Sequence, residues 1–144
     1  MRQSFLITIF SVLLISFTFS CSKKSKSSTG ECSANVICYT QEPGELYVKL
    51  ELTQPKNNVP TEVTFYKGNI DKGEILEVLP TLSTEVVYLV PVGIIYSATA
   101  KYVVDGDTVI VVDGDKLTTS YCTDGDTECY DWDHEMVLDL KLKE

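Results

Sequence analysis

The chain has 144 residues and a formal net charge of −9. Arg2 is the only charged residue among the first 20, so the remainder carries a net charge of −10. An acidic chain does not fit a nucleic-acid partner, because phosphate binding needs clustered Lys and Arg. The length suits one domain after an export segment. Eight tyrosines, many Val and Thr, and no long helical periodicity favour an all-β class.

The N-terminal residues have the organisation of an export signal. Arg2 precedes an apolar run over residues 5–19, which is short for a membrane span and suits a signal-peptide core. The polar stretch 22–30, SKKSKSSTG, predicts a flexible tether. The predicted domain organisation is a signal peptide at 1–20, a modified cysteine and tether at 21–31, and a folded domain at 32–144.

Thr18-Phe19-Ser20-Cys21 resembles the lipobox of bacterial lipoproteins. The resemblance implies that Cys21 becomes the mature N-terminus and carries acyl chains that hold the protein to the outer membrane. Some Bacteroidota lipoproteins have an acidic surface-export motif after this cysteine. The stretch 22–26 is basic instead, which favours a periplasm-facing position. The alternatives are a secretory peptide with an incidental cysteine and an uncleaved anchor.

Four further cysteines predict disulfides in an exported chain: Cys32, Cys38, Cys122 and Cys129. Local pairing, Cys32 with Cys38 and Cys122 with Cys129, is favoured because each pair brackets turn-type residues. Each short loop would contribute about 2 kcal/mol. The two long-range connectivities remain open. The spacing does not fit zinc ligation.

Eight or so short strands separated by turns predict an antiparallel β-sandwich. Residues 46–52 are the most regular, because apolar and polar side chains alternate as on a half-buried strand. Residues 113–133 form an acidic segment with little apolar pattern. The predicted strands cover residues 32–40, 46–52, 62–67, 74–79, 86–90, 96–104, 108–112 and 135–143.

The central stretch of the domain, residues 84–112, contains a predicted hairpin. Residues 96–104 alternate with period 2, and residues 108–112 are largely β-branched. Asp105-Gly106 lies between them and favours a type I′ turn, which needs positive φ at both central positions.

Leu89-Val90-Pro91 followed by Tyr96 resembles the E–F corner of fibronectin type III and immunoglobulin-like domains. In those folds a tyrosine hydroxyl bonds back to the backbone upstream. The alternative for Tyr96 is a half-buried strand aromatic. Residues 96–102, residues 111–115 and the Cys122/Cys129 loop further resemble small Bacteroidota lipoproteins with an immunoglobulin-like domain. The expected fold is therefore an all-β, immunoglobulin-like (fibronectin-III-like) β-sandwich, and the resemblance implies no reaction.

Asp-Gly-Asp occurs three times, at residues 105–107, 113–115 and 124–126. Calcium prefers clustered carboxylate oxygens, so these segments are candidate ligand loops, although none has the spacing of an EF-hand. The alternative is ordinary turns, because Asp and Gly are common turn residues. The candidate calcium ligands are Asp113, Asp115, Asp124 and Asp126.

The sequence predicts a protein without enzymatic activity. His134 is the only histidine, and no serine-centred nucleophile motif or zinc-protease motif accompanies it. Trp132, Tyr130 and Tyr121 could contact a sugar or a protein, or cover the end of the sandwich. The expected function is a lipid-anchored interaction or structural module of the cell envelope. Its expected partners are the membrane, through Cys21, and an envelope protein or glycan. A calcium- or carbohydrate-binding module is the alternative.

Overall fold

The computed structural model describes residues 30–32, 37–55 and 58–143. The predicted signal peptide, Cys21 and most of the tether lie outside these ranges. Within them the chain folds into nine strands. No helix long and apolar enough to span a membrane is found in the described ranges. The strands are β1 (Glu45–Glu51), β2 (Thr61–Lys67), β3 (Glu74–Thr81), β4 (Glu85–Pro91), β5 (Ile95–Val104), β6 (Asp107–Lys116), β7 (Ser120–Asp124), β8 (Thr127–Asp131) and β9 (Glu135–Asp139).

Two sheets form a β-sandwich, which confirms the all-β class. One sheet has the order β4-β1-β9 and the other has the order β3-β2-β5-β6. Their inner faces share one buried apolar cluster. Strands β7 and β8 form a separate two-stranded sheet. Neighbouring strands are antiparallel except β1 and β9, which run parallel.

The alternation predicted for β1 and for the C-terminal strand is confirmed. Leu46, Val48 and Leu50 of β1 are buried, while the residues between them lie on the outer face. Met136 and Leu138 of β9 are buried in the same way. Since successive strand side chains point to opposite faces, this period-2 pattern places these five side chains on the core side, while Val137 of β9 lies on the outer face. The core of the three-stranded sheet therefore follows directly from the sequence.

Two tyrosines on β5 join the sandwich through their hydroxyl groups. The Tyr96 hydroxyl donates to the Pro91 carbonyl at 3.0 Å, so the upstream backbone bond expected for this residue is present. The Tyr102 hydroxyl donates to the Leu140 carbonyl at 2.8 Å and accepts the Thr53 N–H at 3.1 Å. Because residues 53 and 140 follow β1 and β9, Tyr102 ties one sheet to the other.

An aromatic stack fills the core between β4 and β5. Phe65 lies against Tyr88, with ring centroids 4.3 Å apart, and against Tyr96, with centroids 5.6 Å apart. The buried Tyr88 hydroxyl has no hydrogen-bonding partner among the described groups. Burial, together with the nearby Glu77 carboxylate, raises the pKa of Tyr88. The stack thus contributes packing across the two sheets, with one phenol left unsatisfied.

The Asp-Gly turn signals are confirmed at one central position and wrong at another. Asp105 and Gly106 have φ of 54° and 91°, as a type I′ turn between β5 and β6 requires. Asp113-Gly114-Asp115, however, continues strand β6. Gly114 pairs with Ser97, where an added Cβ would come 2.7 Å from the Ser97 Cβ. The glycine here permits close strand packing and makes no turn.

Two strand predictions are corrected. Residues 32–40 do not form one edge strand in the part that is described, since Glu31 and Tyr39 make isolated bridges to β7 and β8 respectively. Strand β3 does not end before Pro80 but continues through it, with Pro80 opposite Glu62. Because β3 is an edge strand, a residue without an N–H is tolerated there.

We expect Tyr102→Phe to lower the free energy of unfolding by about 1–3 kcal/mol, because it leaves two backbone groups without their shared partner. Urea denaturation of the oxidised protein below pH 9 measures this difference. Tyr47→Phe is the matched control, since Tyr47 is 48 % exposed on the outer face of β1. Equal midpoints for the two variants would contradict the role of Tyr102.

The difference in unfolding free energy between wild type and Tyr102→Phe depends on pH. Burial raises the pKa of Tyr102 above its ordinary value. The stability that this proton provides is fully present below about pH 10, the ordinary phenol pKa, and is lost as the pH rises toward the folded-state pKa. The difference between wild type and Tyr102→Phe should therefore shrink above pH 10.

Candidate binding site

Strands β7 and β8 form a hairpin that the sequence reasoning missed. Their two-residue turn, Gly125-Asp126, has a positive φ of 60° at Gly125, as a type II′ turn requires. The hairpin leaves the sandwich through Leu117, whose N–H donates to the Ile94 carbonyl at 2.9 Å. We call residues 30–32, 37–42 and 120–133 the hairpin unit.

The N-terminal segment lies along both outer edges of this hairpin. The Cys32 N–H donates to the Thr123 carbonyl at 3.1 Å beside β7. The Tyr130 N–H of β8 donates to the Tyr39 carbonyl at 2.8 Å. The chain before the sandwich therefore extends the small sheet on both sides, and its course is set by the hairpin.

Two long-range disulfides hold the hairpin unit together, so the predicted local pairing is wrong. Cys32 is bonded to Cys122, and Cys38 is bonded to Cys129. The cause is backbone pairing, since Cys32 lies beside β7 and Cys38 lies beside β8. The turn-type residues that each local pair brackets had favoured the local bonds instead. That all four cysteines form disulfides agrees with the prediction.

The disulfides stabilise more strongly than local bonds would. They join residues 90 and 91 positions apart in the sequence. In the chain-entropy description, the first crosslink over such a separation contributes about 4–5 kcal/mol. The second then closes a ring of only roughly 15 residues and contributes about 3 kcal/mol. Long-range crosslinks therefore stabilise an element that has little apolar core of its own.

Four aromatic side chains form a cleft on the hairpin unit. Tyr121 and Tyr130 are directly opposite on β7 and β8, with ring centroids 5.7 Å apart. Tyr39 is paired with Tyr130 and lies 5.6 Å from Trp132, centroid to centroid. The depression that they line, with Ile37, has a volume of about 450 Å³. We call these four side chains the aromatic cleft.

Hydrogen bonds hold the cleft in place. The Trp132 Nε1–H donates to the Gln41 carbonyl at 2.9 Å, which fixes the indole against the N-terminal segment. The Tyr130 hydroxyl donates to Glu128 Oε2 at 2.7 Å. This bond to a carboxylate, followed by desolvation, raises the pKa of Tyr130 to about 12. Tyr39 and Trp132 still expose nearly half of their surface, so their rings are available to a ligand.

The predicted calcium ligands are not brought together. Asp113 and Asp115 lie on β6, and Asp113 Oδ2 accepts the Asp139 N–H at 2.9 Å. Asp124 and Asp126 border the β7–β8 turn. No group of three or more His, Cys, Asp or Glu side chains in the described ranges is placed to hold a metal ion. His134 is half-buried between β8 and β9.

The outer face of the four-stranded sheet is a second exposed apolar surface. Val78 of β3 and Val112 of β6 are exposed there, in the same row across the sheet. Ile110 and Val103 extend this surface. A depression of about 480 Å³ at its edge is lined by Ile110 and Val112 but by no aromatic side chain. Nothing in the described residues shows what covers this face, so the aromatic cleft is the better candidate site.

The sequence reasoning found three of the four cleft aromatics and missed Tyr39 and the neighbouring Ile37. The signal for β7–β8 was the Gly125-Asp126 dipeptide flanked by Tyr-Cys and Cys-Tyr, because Gly-Asp between two such runs favours a type II′ hairpin turn. No local signal places Tyr39 beside Trp132, because that contact joins residues far apart in the sequence.

The chain matches no family model, no curated protein and no solved structure. Function is therefore inferred from the geometry of the sandwich and the aromatic cleft.

We expect a tryptic digest of the oxidised protein to link the peptide 27–49 to the peptide 117–141. Trypsin does not cut between Cys32 and Cys38, nor between Cys122 and Cys129, so each peptide contains two cysteines. Local disulfides would instead leave the two peptides separate under non-reducing mass spectrometry. Further cleavage before Asp124 and Asp126 and beside Ala34 then tells whether Cys32 is joined to Cys122 or to Cys129.

Proposed function

We propose that this protein is a lipid-anchored, exported interaction module of the cell envelope, without enzymatic activity, whose binding surface is the aromatic cleft. The observation that carries the proposal is the cleft itself: exposed tyrosine and tryptophan rings held on a hairpin by two disulfides. Aromatic side chains on a rigid support are typical of binding sites, because they bury a large area at little entropic cost.

The arrangement of strands supports an immunoglobulin-like or fibronectin-III-like domain. Strands β1 and β4 face β3-β2-β5-β6, as B and E face C′-C-F-G in those folds. The Tyr96–Pro91 hydrogen bond lies at the β4–β5 corner, the equivalent of the E–F corner. Strand β9 departs from this pattern, since it lies beside β1 where a first strand would lie but runs parallel to it.

Export is supported by the disulfides, which persist in oxidising compartments. The apolar run 5–19 followed by Cys21 supports a lipoprotein signal, and the basic tether favours a periplasm-facing position at the outer membrane. In this proposal, acyl chains on Cys21 hold the domain to the membrane and the tether spans the gap to Gly30.

A second candidate function is carbohydrate binding. Trp132 and Tyr39 lie beside each other in the cleft and are each 45 % exposed, and aromatic side chains can stack on sugar rings. Retention on a glycan array that is lost in Trp132→Ala would favour this candidate.

We expect the native cell to attach an alkyne-labelled fatty acid to the wild-type chain and not to a Cys21→Ser variant. The label should resist hydroxylamine in part, because an amide-linked chain on the new N-terminus survives where a thioester would not. Labelling of Cys21→Ser at the wild-type level would contradict lipidation at this residue.

We expect a photo-crosslinking amino acid at Ile37 to join the protein to a discrete partner in the native cell. Ile37 lines the cleft and is 70 % exposed. The matched control is the same amino acid at Val103, which is 63 % exposed on the outer face of the four-stranded sheet. Crosslinks at 103 and none at 37 would move the binding surface to the sheet, and none at either would contradict an interaction module.

A further inference from the structure

The charged side chains of the hairpin unit are all acidic. Its described residues hold seven acidic side chains and no lysine or arginine. The acidic residues are Glu31, Glu42, Asp124, Asp126, Glu128, Asp131 and Asp133.

No ion pair of the described residues neutralises this charge. The lysines that form ion pairs lie on the sandwich or just after β9, and their partners are Glu51, Glu62, Glu135 and Asp139. Asp131 and Asp133 line the cleft on either side of Trp132. Asp131 Oδ1 accepts the Asp133 N–H at 3.0 Å, which fixes the local turn. The cleft therefore combines aromatic faces with carboxylates that have no cationic partner on the unit.

This combination selects for a cation. The face of an aromatic ring carries negative potential and attracts an ammonium or guanidinium group within about 6 Å. A guanidinium group is planar, stacks on aromatic faces and forms paired hydrogen bonds to carboxylates. Phosphorylated or carboxylated glycans would be repelled by the same carboxylates. A neutral sugar could donate hydroxyl hydrogen bonds to them, but it would leave their charge uncompensated. A cationic ligand uses both features and also neutralises the negative charge.

We propose that the aromatic cleft binds a basic peptide segment of a partner protein, with an Arg or Lys side chain over Trp132 or Tyr39 and its charge held by Asp131 and Asp133. The proposal rests on the proposed function, for which it names the class of partner. The positive charge of such a peptide is complementary to the carboxylates of the cleft, which favours this ligand over the others.

The full chain contains one tryptophan, so indole fluorescence reports on the cleft alone. The experiment titrates the oxidised full-length protein, in detergent micelles, with a blocked peptide of alternating glycine and arginine. The matched probe replaces every arginine by glutamine. We expect saturable quenching by the arginine peptide only, with an affinity that falls as salt rises.

Two double variants separate local from overall charge. Asp131→Asn with Asp133→Asn keeps the side-chain shapes and the turn acceptor, and should weaken the arginine peptide about fivefold. Glu62→Gln with Asp107→Asn removes the same charge from the far end of the sandwich and should leave the affinity unchanged. Equal weakening in both double variants would overturn the proposal, because net charge alone would then explain binding.

Two other occupants are distinguished by the same titration. Quenching by a neutral oligosaccharide without quenching by the arginine peptide would overturn the proposal in favour of a glycan. A tenfold gain in peptide affinity when Lys23, Lys24 and Lys26 are changed to Ser would identify the protein's own tether as the occupant and overturn it too. The proposed function fails separately, through absence of crosslinks at both residue 37 and residue 103 in the cell.

Discussion

The join between the two sheets depends on Tyr102, a phenol that must be buried and hydrogen-bonded at once. Its ring faces the core from β5, and its hydroxyl meets one backbone donor and one backbone acceptor that follow β1 and β9. A buried hydroxyl without partners would cost about 1–3 kcal/mol, so the segments that follow β1 and β9 must lie next to it. The Tyr96 hydroxyl donates to one carbonyl at the β4–β5 corner, and these three hydrogen bonds link the two sheets beside the apolar core.

The hairpin unit is held by different forces from the sandwich. The sandwich buries a continuous apolar cluster, whereas the hairpin unit contributes few fully buried apolar side chains, Cys129 among them. A small sheet with one polar face gains too little from apolar burial to order itself. Disulfides and backbone pairing supply the stabilisation that apolar burial does not. The aromatic rings of this unit therefore need not pack in a core. This division explains how large aromatic side chains can stay exposed on an ordered support.

The parts of the fold that were predictable depend on local pattern. Period-2 alternation identified β1 and β9, and Asp105-Gly106 identified the β5–β6 turn, because neighbouring residues alone determine these features. The disulfide connectivity and the parallel pairing of β9 with β1 were not predictable, since each joins residues about 90 positions apart. The Asp113-Gly114 signal misled because close packing against Ser97, rather than a turn, requires the glycine.

Cys32–Cys122 and Cys38–Cys129 also determine how the molecule transmits mechanical tension. A pull between the N-terminal segment at Gly30 and a ligand at Trp132 travels through the backbone and the two sulfur–sulfur bonds. The hydrogen-bond ladders of the sandwich lie outside this route, so tension does not unzip them. Tension from a partner bound at Trp132 would therefore pass through its contacts with the cleft into the backbone and the two disulfides, and the folded sandwich would stay unloaded.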